Sequence, residues 1–182
     1  GDETVVSMDD PALYGETVYT LGFGEAVEAG LLADYEVVVV AVDDPELRDT
    51  ILNDGSFELE GLNRSVKGTT LTALEGTLRA ITEFKMSRVI TFHSRIKRAK
   101  DFADAMPLFD KWRSGTALTE SATINGKMNA SIRKKQVAWL EEPQNNPRVL
   151  TNARCLTEGI DVPGLDAIVF ADPRRSQIDI VQ

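Results

Sequence analysis

In "FHSRIKRAK" (residues 92–100) a serine precedes three bases, Arg95, Lys97 and Arg98, in what reads as the first turn of a helix. A helix start carries partial positive charge and prefers acids, so bases there make sense if an anion joins them. Backbone N–H groups, the Ser94 hydroxyl as cap and the Arg95 guanidinium could together hold a phosphate. A solvated basic face is the plainer alternative. "ADPRRSQID" (171–179) repeats the arrangement, with Pro173 suited to a first helical position and Arg174 and Arg175 behind it. Between the two, "TNARCLTEGIDVPG" (151–164) offers the hydroxyls of Thr151 and Thr157, the amide of Asn152, Gly159 for close backbone approach, and Asp161 ahead of a Pro-Gly turn. A carboxylate there could accept hydrogen bonds from a ribose, or cap its own turn toward Gly164.

These loops need elements to position them, and the hydrophobic pattern supplies them. "TTLTALEGTLRAITEFKM" (69–86) puts Leu71, Leu74, Leu78 and Ile81 on one helical stripe, with Thr69 or Thr70 available as cap. "RVITF" (88–92) reads as a short buried strand. "SRIKRAKDFADAMPLFDKW" (94–112) reads as a helix with Ile96, Ala99, Phe102, Ala103 and Met106 inward, and Pro107 is expected to kink or end it. "SATIN" (121–125) is a strand and "NASIRKKQVAWLEE" (129–142) a helix capped by Asn129 or Ser131. "RVLTN" (148–152) and "LDAIVFAD" (165–172) complete the strands. Upstream, "ETVYTLG" (16–22) alternates like a half-exposed strand and "FGEAVEAGLL" (23–32) has helical spacing. "YEVVVVAVDD" (35–44) reads as a strand buried on both faces, and residues 53–68 read as loop. Strands alternating with amphipathic helices predict an α/β fold, a parallel sheet covered on both faces. In such sheets ligands bind at the carboxyl ends of the strands, which is where the loops above fall.

At 182 residues and 42% hydrophobic, the chain suits one compact domain with an appended segment. Its apolar runs are far shorter than the ~20 residues of a membrane span, and no basic-then-apolar leader opens the sequence, so no membrane partner is expected. The single cysteine, Cys155, fits a reducing compartment and reads as a small packing residue; cytoplasm is the default. The net charge of −9 is unevenly spread. Residues 1–60 hold 16 acids and one base, for −15, whereas the rest carries 19 bases and 13 acids, for +6. An acidic lead-in is thus followed by a mildly basic domain.

Several engines are excluded by what is missing. A phosphate-binding P-loop needs G-x-x-x-x-G-K-S/T; the one Gly-Lys pair, Gly126-Lys127, has Ser121 and Met128 at the other two required positions. No G-x-G-x-x-G, C-x-x-C or H-E-x-x-H occurs. His93 is the single histidine, with no second residue to make a metal site or triad.

Taken in order, these pieces resemble a family. "TNARCLTEGIDVPGLDAIVFADP" is similar to motif V of superfamily 2 helicases and translocases, an E-G-x-D-x-P loop between two core strands. "RVITFHSRIKRAKDFA" resembles motif IV, and "ATINGKMNASIRKKQVAWLE" the strand, Gly turn and Arg-containing helix between them. "RRSQIDIVQ" resembles the approach to motif VI, Q-x-x-G-R-x-x-R, of which Gln182 is present. Residues 14–44 are similar to the passage joining the two motor domains in restriction-type and DEAD/DEAH-like helicases. The likeness covers roughly residues 69–182. It implies a RecA-like three-layer sandwich, truncated at motif VI, with residues 1–60 as interdomain segment and start of the second motor domain and 61–182 as that domain.

The resemblance further implies roles. Asp161 would touch the nucleotide ribose, with Gly159 supplying backbone; Ser94, Arg95, Thr151, Asn152 and Arg154 would meet the nucleic-acid backbone. ATP and Mg²⁺ would serve the full-length enzyme, a nucleoside triphosphate hydrolase, and this chain alone would hold neither and be inactive. Implied partners are DNA, with RNA open, and the first RecA-like domain of the same parent chain. A non-catalytic nucleotide- or anion-binding module and a degenerate protein-interaction domain are the alternatives.

Overall fold

The computed structural model describes residues 10–153, 155 and 162–172. The chain divides into two units, residues 1–39 and 40–182. The described part of the first holds two short helices, α1 (Pro11–Tyr14) and α2 (Phe23–Glu28). Asp10 caps α1 by accepting from the Ala12 N–H at 2.9 Å. The Glu25 carboxylate reaches back to the Gly22 N–H at 3.3 Å, and Gly30 at φ +69° ends the second helix. The strand expected at 16–22 is not formed, and neither is the one at 35–44: Val37 is 78% and Val39 89% exposed. β-Branched residues favour extended backbone, but a strand exists only with a neighbour to bond, and among the described residues none pairs with either run.

The second unit begins as extended chain laid on a helix. Val40 and Val42 approach Gly76, where the missing Cβ leaves room. A short helix follows, α3 (Arg48–Leu52), and then two residue pairs inside the predicted loop, β1 (Ser56–Phe57) and β2 (Val66–Lys67), paired antiparallel. Then come α4 (Gly68–Phe84), β3 (Arg88–Phe92), α5 (Ile96–Ser114), β4 (Glu120–Asn125), α6 (Ala130–Glu141), β5 (Arg148–Ala153) and β6 (Ala167–Phe170). The last four strands form one sheet in the order β4-β5-β3-β6, parallel throughout. Side chains alternate across it. Val89 and Val149 join Leu71, Leu74, Leu78, Ile81, Phe102, Met106 and Phe109 from α4 and α5, while Ile90 and Leu150 join Ile124 and Leu140 from the α6 side. Helices therefore cover both faces, the three-layer α/β arrangement that the pattern predicts. Among the described residues no helix is long and apolar enough to cross a membrane.

Pro107 neither ends nor breaks α5, which runs on to Ser114 and stops at Gly115 with φ +79°. A proline removes the N–H that would bond the carbonyl four residues earlier, here that of Ala103. The Ser121 hydroxyl on β4 donates to that very carbonyl at 2.5 Å, so tertiary packing replaces the lost helical bond. Ser121→Ala is accordingly expected to destabilise the domain by about 1–2 kcal/mol, the cost of an unpaired buried acceptor, as measured by urea unfolding. A loss below the error of the measurement would show that the carbonyl finds water instead.

The loop ends are fixed by carboxylates and amides. Asn129 caps α6 by accepting from the Ile132 N–H at 2.8 Å. Asp110 takes the Leu118 and Thr119 N–H groups at 2.9 and 2.7 Å, steering the chain from α5 into β4. Asp166 accepts from Ser87 and Arg88 N–H groups, both at 2.8 Å, and so aligns the start of β6 with that of β3. The cap of α4 differs from expectation. Neither Thr69 nor Thr70 serves; Lys67 is the N-cap residue without a side-chain bond, and Asp54 accepts from the Thr69 N–H at 3.0 Å.

Candidate nucleic-acid and nucleotide interface

Parallel pairing of β3 with β6 sets Phe92 against Phe170 and lets the Ala171 N–H donate to the Phe92 carbonyl at 3.2 Å. The two strands thus leave the sheet side by side. Just past that point lies Asp172, 7% exposed. Its Oδ2 accepts from the Ser94 N–H at 2.7 Å and from the Ser94 hydroxyl at 2.8 Å, and its Oδ1 pairs with the Arg98 guanidinium. Burial alone would raise this carboxyl; the amide and hydroxyl of Ser94, then Arg98, outweigh that and hold it below its ordinary value. The anion at this helix start is therefore a side chain of the same domain. Ser94 is not the N-cap of α5 either. That position is Arg95, with extended backbone and no side-chain cap bond.

The three bases at the start of α5 part company. Lys97 pairs with Asp101 at 2.9 Å and Arg98 with Asp172. Arg95 is exposed and has no ion-pair partner among the described residues. On the neighbouring rim, the turn after β4 is held by Asn125, whose side chain accepts from the Lys127 N–H at 3.0 Å. Lys127, Lys134 and Lys135 are exposed there and also without ion pairs among the described residues. These were not singled out from the sequence, although three bases in "SIRKKQ" at the head of a helix were a usable signal.

Thr151 and Asn152 lie in the second half of β5, both fully buried. Thr151 lies in register between Thr91 and Thr123, on the α5 side of the sheet, and its hydroxyl has no hydrogen-bond partner among the described residues. Asn152 lies on the α6 side. Its Oδ1 accepts from the Cys155 N–H at 3.2 Å and from the thiol at 3.0 Å, while its Nδ2 is unpaired among the described residues. Cys155 packs against the α6-side core, and burial pushes its thiol upward despite the nearby Arg133, which makes it a poor nucleophile. His93 is buried beside Phe102, ring centroids 5.0 Å apart, with Nε2 2.9 Å from the Thr91 hydroxyl. Arg154, Gly159 and Asp161, together with the arginines after Pro173, lie outside the described residues.

The parallel four-stranded sheet with helices on both faces has the α/β arrangement of RecA-like domains. The chain belongs to the helicase conserved C-terminal domain family, whose sequence profile matches residues 71–182. A protein of African swine fever virus described as "probable helicase" is 29% identical over 181 residues, 99% of this chain. The ATP-dependent Type ISP restriction-modification enzyme LlaBIII bound to DNA superposes with a TM-score of 0.73 at 30% identity over 96% of the chain. The C-terminal part of the Fun30 ATPase domain shares the fold, with a TM-score of 0.50 at 15% identity, over 96% of this chain and 50% of its own length. The chain spans 19% of the viral relative and 12% of the restriction enzyme. It is thus a C-terminal helicase domain of the superfamily 2 type.

Proposed function

We propose that this chain is the second motor domain of an ATP-dependent helicase or translocase acting on nucleic acid, DNA in the first instance. ATP with Mg²⁺ would bind between it and a first RecA-like domain of the same parent protein, and closure of that cleft would shift its loops along the strand. In this reading Arg95 contacts a backbone phosphate directly. Thr151 and Asn152, fully buried, shape their loop from beneath, and Ser94, whose amide and hydroxyl donate to Asp172, shapes the other; Arg154 adds a second cation. Asp161 would touch the nucleotide ribose, with Gly159 supplying backbone, and the chain alone would turn over no ATP. The observation that carries the reading is the family match together with Arg95, exposed at the carboxyl edge and without an ion-pair partner among the described residues. Support for DNA comes from the restriction enzyme, which was solved bound to it.

Titrating a labelled single-stranded oligonucleotide at two salt concentrations tests this. Weak binding is expected, with log K falling as log salt rises. Arg95→Ala should weaken it about tenfold and flatten the slope by ~0.7, the loss of one phosphate contact to a single strand. Unchanged affinity and slope in the variant would remove Arg95 from the interface.

A further inference from the structure

We infer that Asp172 is a positioning residue for nucleic-acid binding: its buried carboxylate locks the loop between β3 and α5 so that Arg95 is presented outward before any ligand arrives. The inference rests on the proposed function for Arg95 and adds a residue to which that reading gives no role.

The loop between β3 and α5 and the first turn of α5 carry four obvious donors: the Ser94 N–H, the Ser94 hydroxyl, and the guanidiniums of Arg95 and Arg98. Left alone, they would converge on the first anion available, and a phosphate would have to organise them as it bound. In the structure Asp172 takes both Ser94 donors, at 2.7 and 2.8 Å, and the Arg98 guanidinium as well. Lys97 is turned aside by Asp101 at 2.9 Å. Arg95 is what remains, exposed on a backbone already fixed as the N-cap of a 19-residue helix. A carboxylate held by three donors in a nearly buried position is a rigid anchor. Preorganisation of this kind raises affinity by removing the ordering cost from the binding step. It also ties the loop to the end of β6.

The sign of one substitution separates this from simple electrostatics. Removing a negative charge from a protein surface near nucleic acid ordinarily strengthens binding. If Asp172 holds Arg95 in place, Asp172→Asn should instead weaken binding of a fluorescein-labelled oligothymidylate by the 182-residue chain, by about the tenfold expected of Arg95→Ala. Asp172→Glu, which keeps the charge and misplaces it, should weaken it too. The double variant with Arg95→Ala should be no worse than Arg95→Ala alone. Thermal melts choose a temperature at which every chain compared is folded. Weakening by Arg95→Ala with unchanged or tighter binding by Asp172→Asn overturns the inference and leaves the proposed function standing. No effect of Arg95→Ala overturns both.

A measurement on the unaltered chain covers the case in which the Asp172 variants fail to fold. The Ser94 amide should exchange slowly with solvent in the free chain and keep its NMR shift when oligothymidylate is added, while the Arg95 Nε–H signal moves. A Ser94 amide that exchanges freely, or that shifts as strongly as Arg95, would mean that phosphate displaces Asp172 and that the anchor is not one.

Discussion

Arg113→Met should cost the domain about 3 kcal/mol in equilibrium unfolding, the lower end of what breaking a buried ion pair removes. The Arg113 side chain, in the last turn of α5, donates to Glu75 Oε2 at 2.9 Å and to Asp44 Oδ2 at 2.5 Å. Glu75 is almost wholly buried in α4, and its other oxygen accepts from Arg79 Nε at 2.8 Å. Asp44 in turn accepts from the Glu46 and Leu47 N–H groups at 2.9 and 3.1 Å. One guanidinium therefore fastens α5 to α4 and to the chain that leads into α3. Methionine would keep much of the stem packing beside Trp112 and delete the charge, leaving, among the described residues, Glu75 with one cation and Asp44 with none. The figure sits at the low end because Arg113 is about a fifth exposed and Arg79 remains.

Acid supplies a second readout. Burial would raise the Asp44 carboxyl, but the Arg113 hydrogen bond, the Leu47 amide, the guanidinium charge and the Glu46 amide together hold it below 3.8. A lowered carboxylate contributes stability that is complete above the unfolded value and drains away as pH falls through the folded one. In Arg113→Met that acid-labile part should shrink, so the variant loses less between pH 5 and pH 3 than the parent does. A parent and variant that fall in parallel would assign the acid sensitivity to other carboxylates.

Gly68→Ala should be at least as damaging, about 3 kcal/mol, which lies at the upper end for overpacking a tight site. A methyl group at Gly68 would fall well inside contact distance of the Thr50 carbonyl oxygen and 3.0 Å from both the Ile51 and Asp54 Cα atoms. All three are backbone, so no side-chain rotation relieves the clash; α3 would have to move off the first turn of α4. The Gly68 N–H, which donates to the Gly55 carbonyl at 3.2 Å, ties the same two segments. Gly76→Ala in the middle of the same helix is the control. Its methyl would meet Val42 and Val40 at 3.9 and 4.0 Å, ordinary contact, and helix propensity favours alanine by up to ~1 kcal/mol. Opposite signs are expected from two identical substitutions on one helix. Equal and small effects would show that α3 is not held against α4 by this approach.

The contrast between those glycines also marks what the sequence could reveal. Helical periodicity is a local property, so the stripe of Leu71, Leu74, Leu78 and Ile81 was legible and all four are buried as read. "RVITF" coincides with β3, and Asn129 caps α6. The run at 35–44 misled because its composition is that of a strand while pairing depends on a neighbour elsewhere in the chain. Gly68 looked like one more loop glycine, since only the crossing of α3 makes it necessary. At the site, the bases of α5 were legible, and so was the need for an anion beside them. The identity of that anion was not. Asp172 lies 78 residues from Ser94 in sequence, and only the parallel pairing of β3 with β6 makes them neighbours. Burial of Thr151 and Asn152 was equally a matter of sheet order, because β5 is an interior strand flanked on both sides.

The bond from Ser121 to the Ala103 carbonyl has a bearing on how the chain reaches this state. Until β4 docks, only water can stand in for the amide that Pro107 lacks, and α5 is weakest at that turn, with segments of modest length on either side, each marginal by itself. The continuity of α5 is thus conditional on a strand that follows it in sequence and rests against it in space. In folding order, the first half of α5 and β3 can settle early, whereas the second half, which carries Phe109, Asp110 and Arg113, becomes one rod with the first only as β4 arrives.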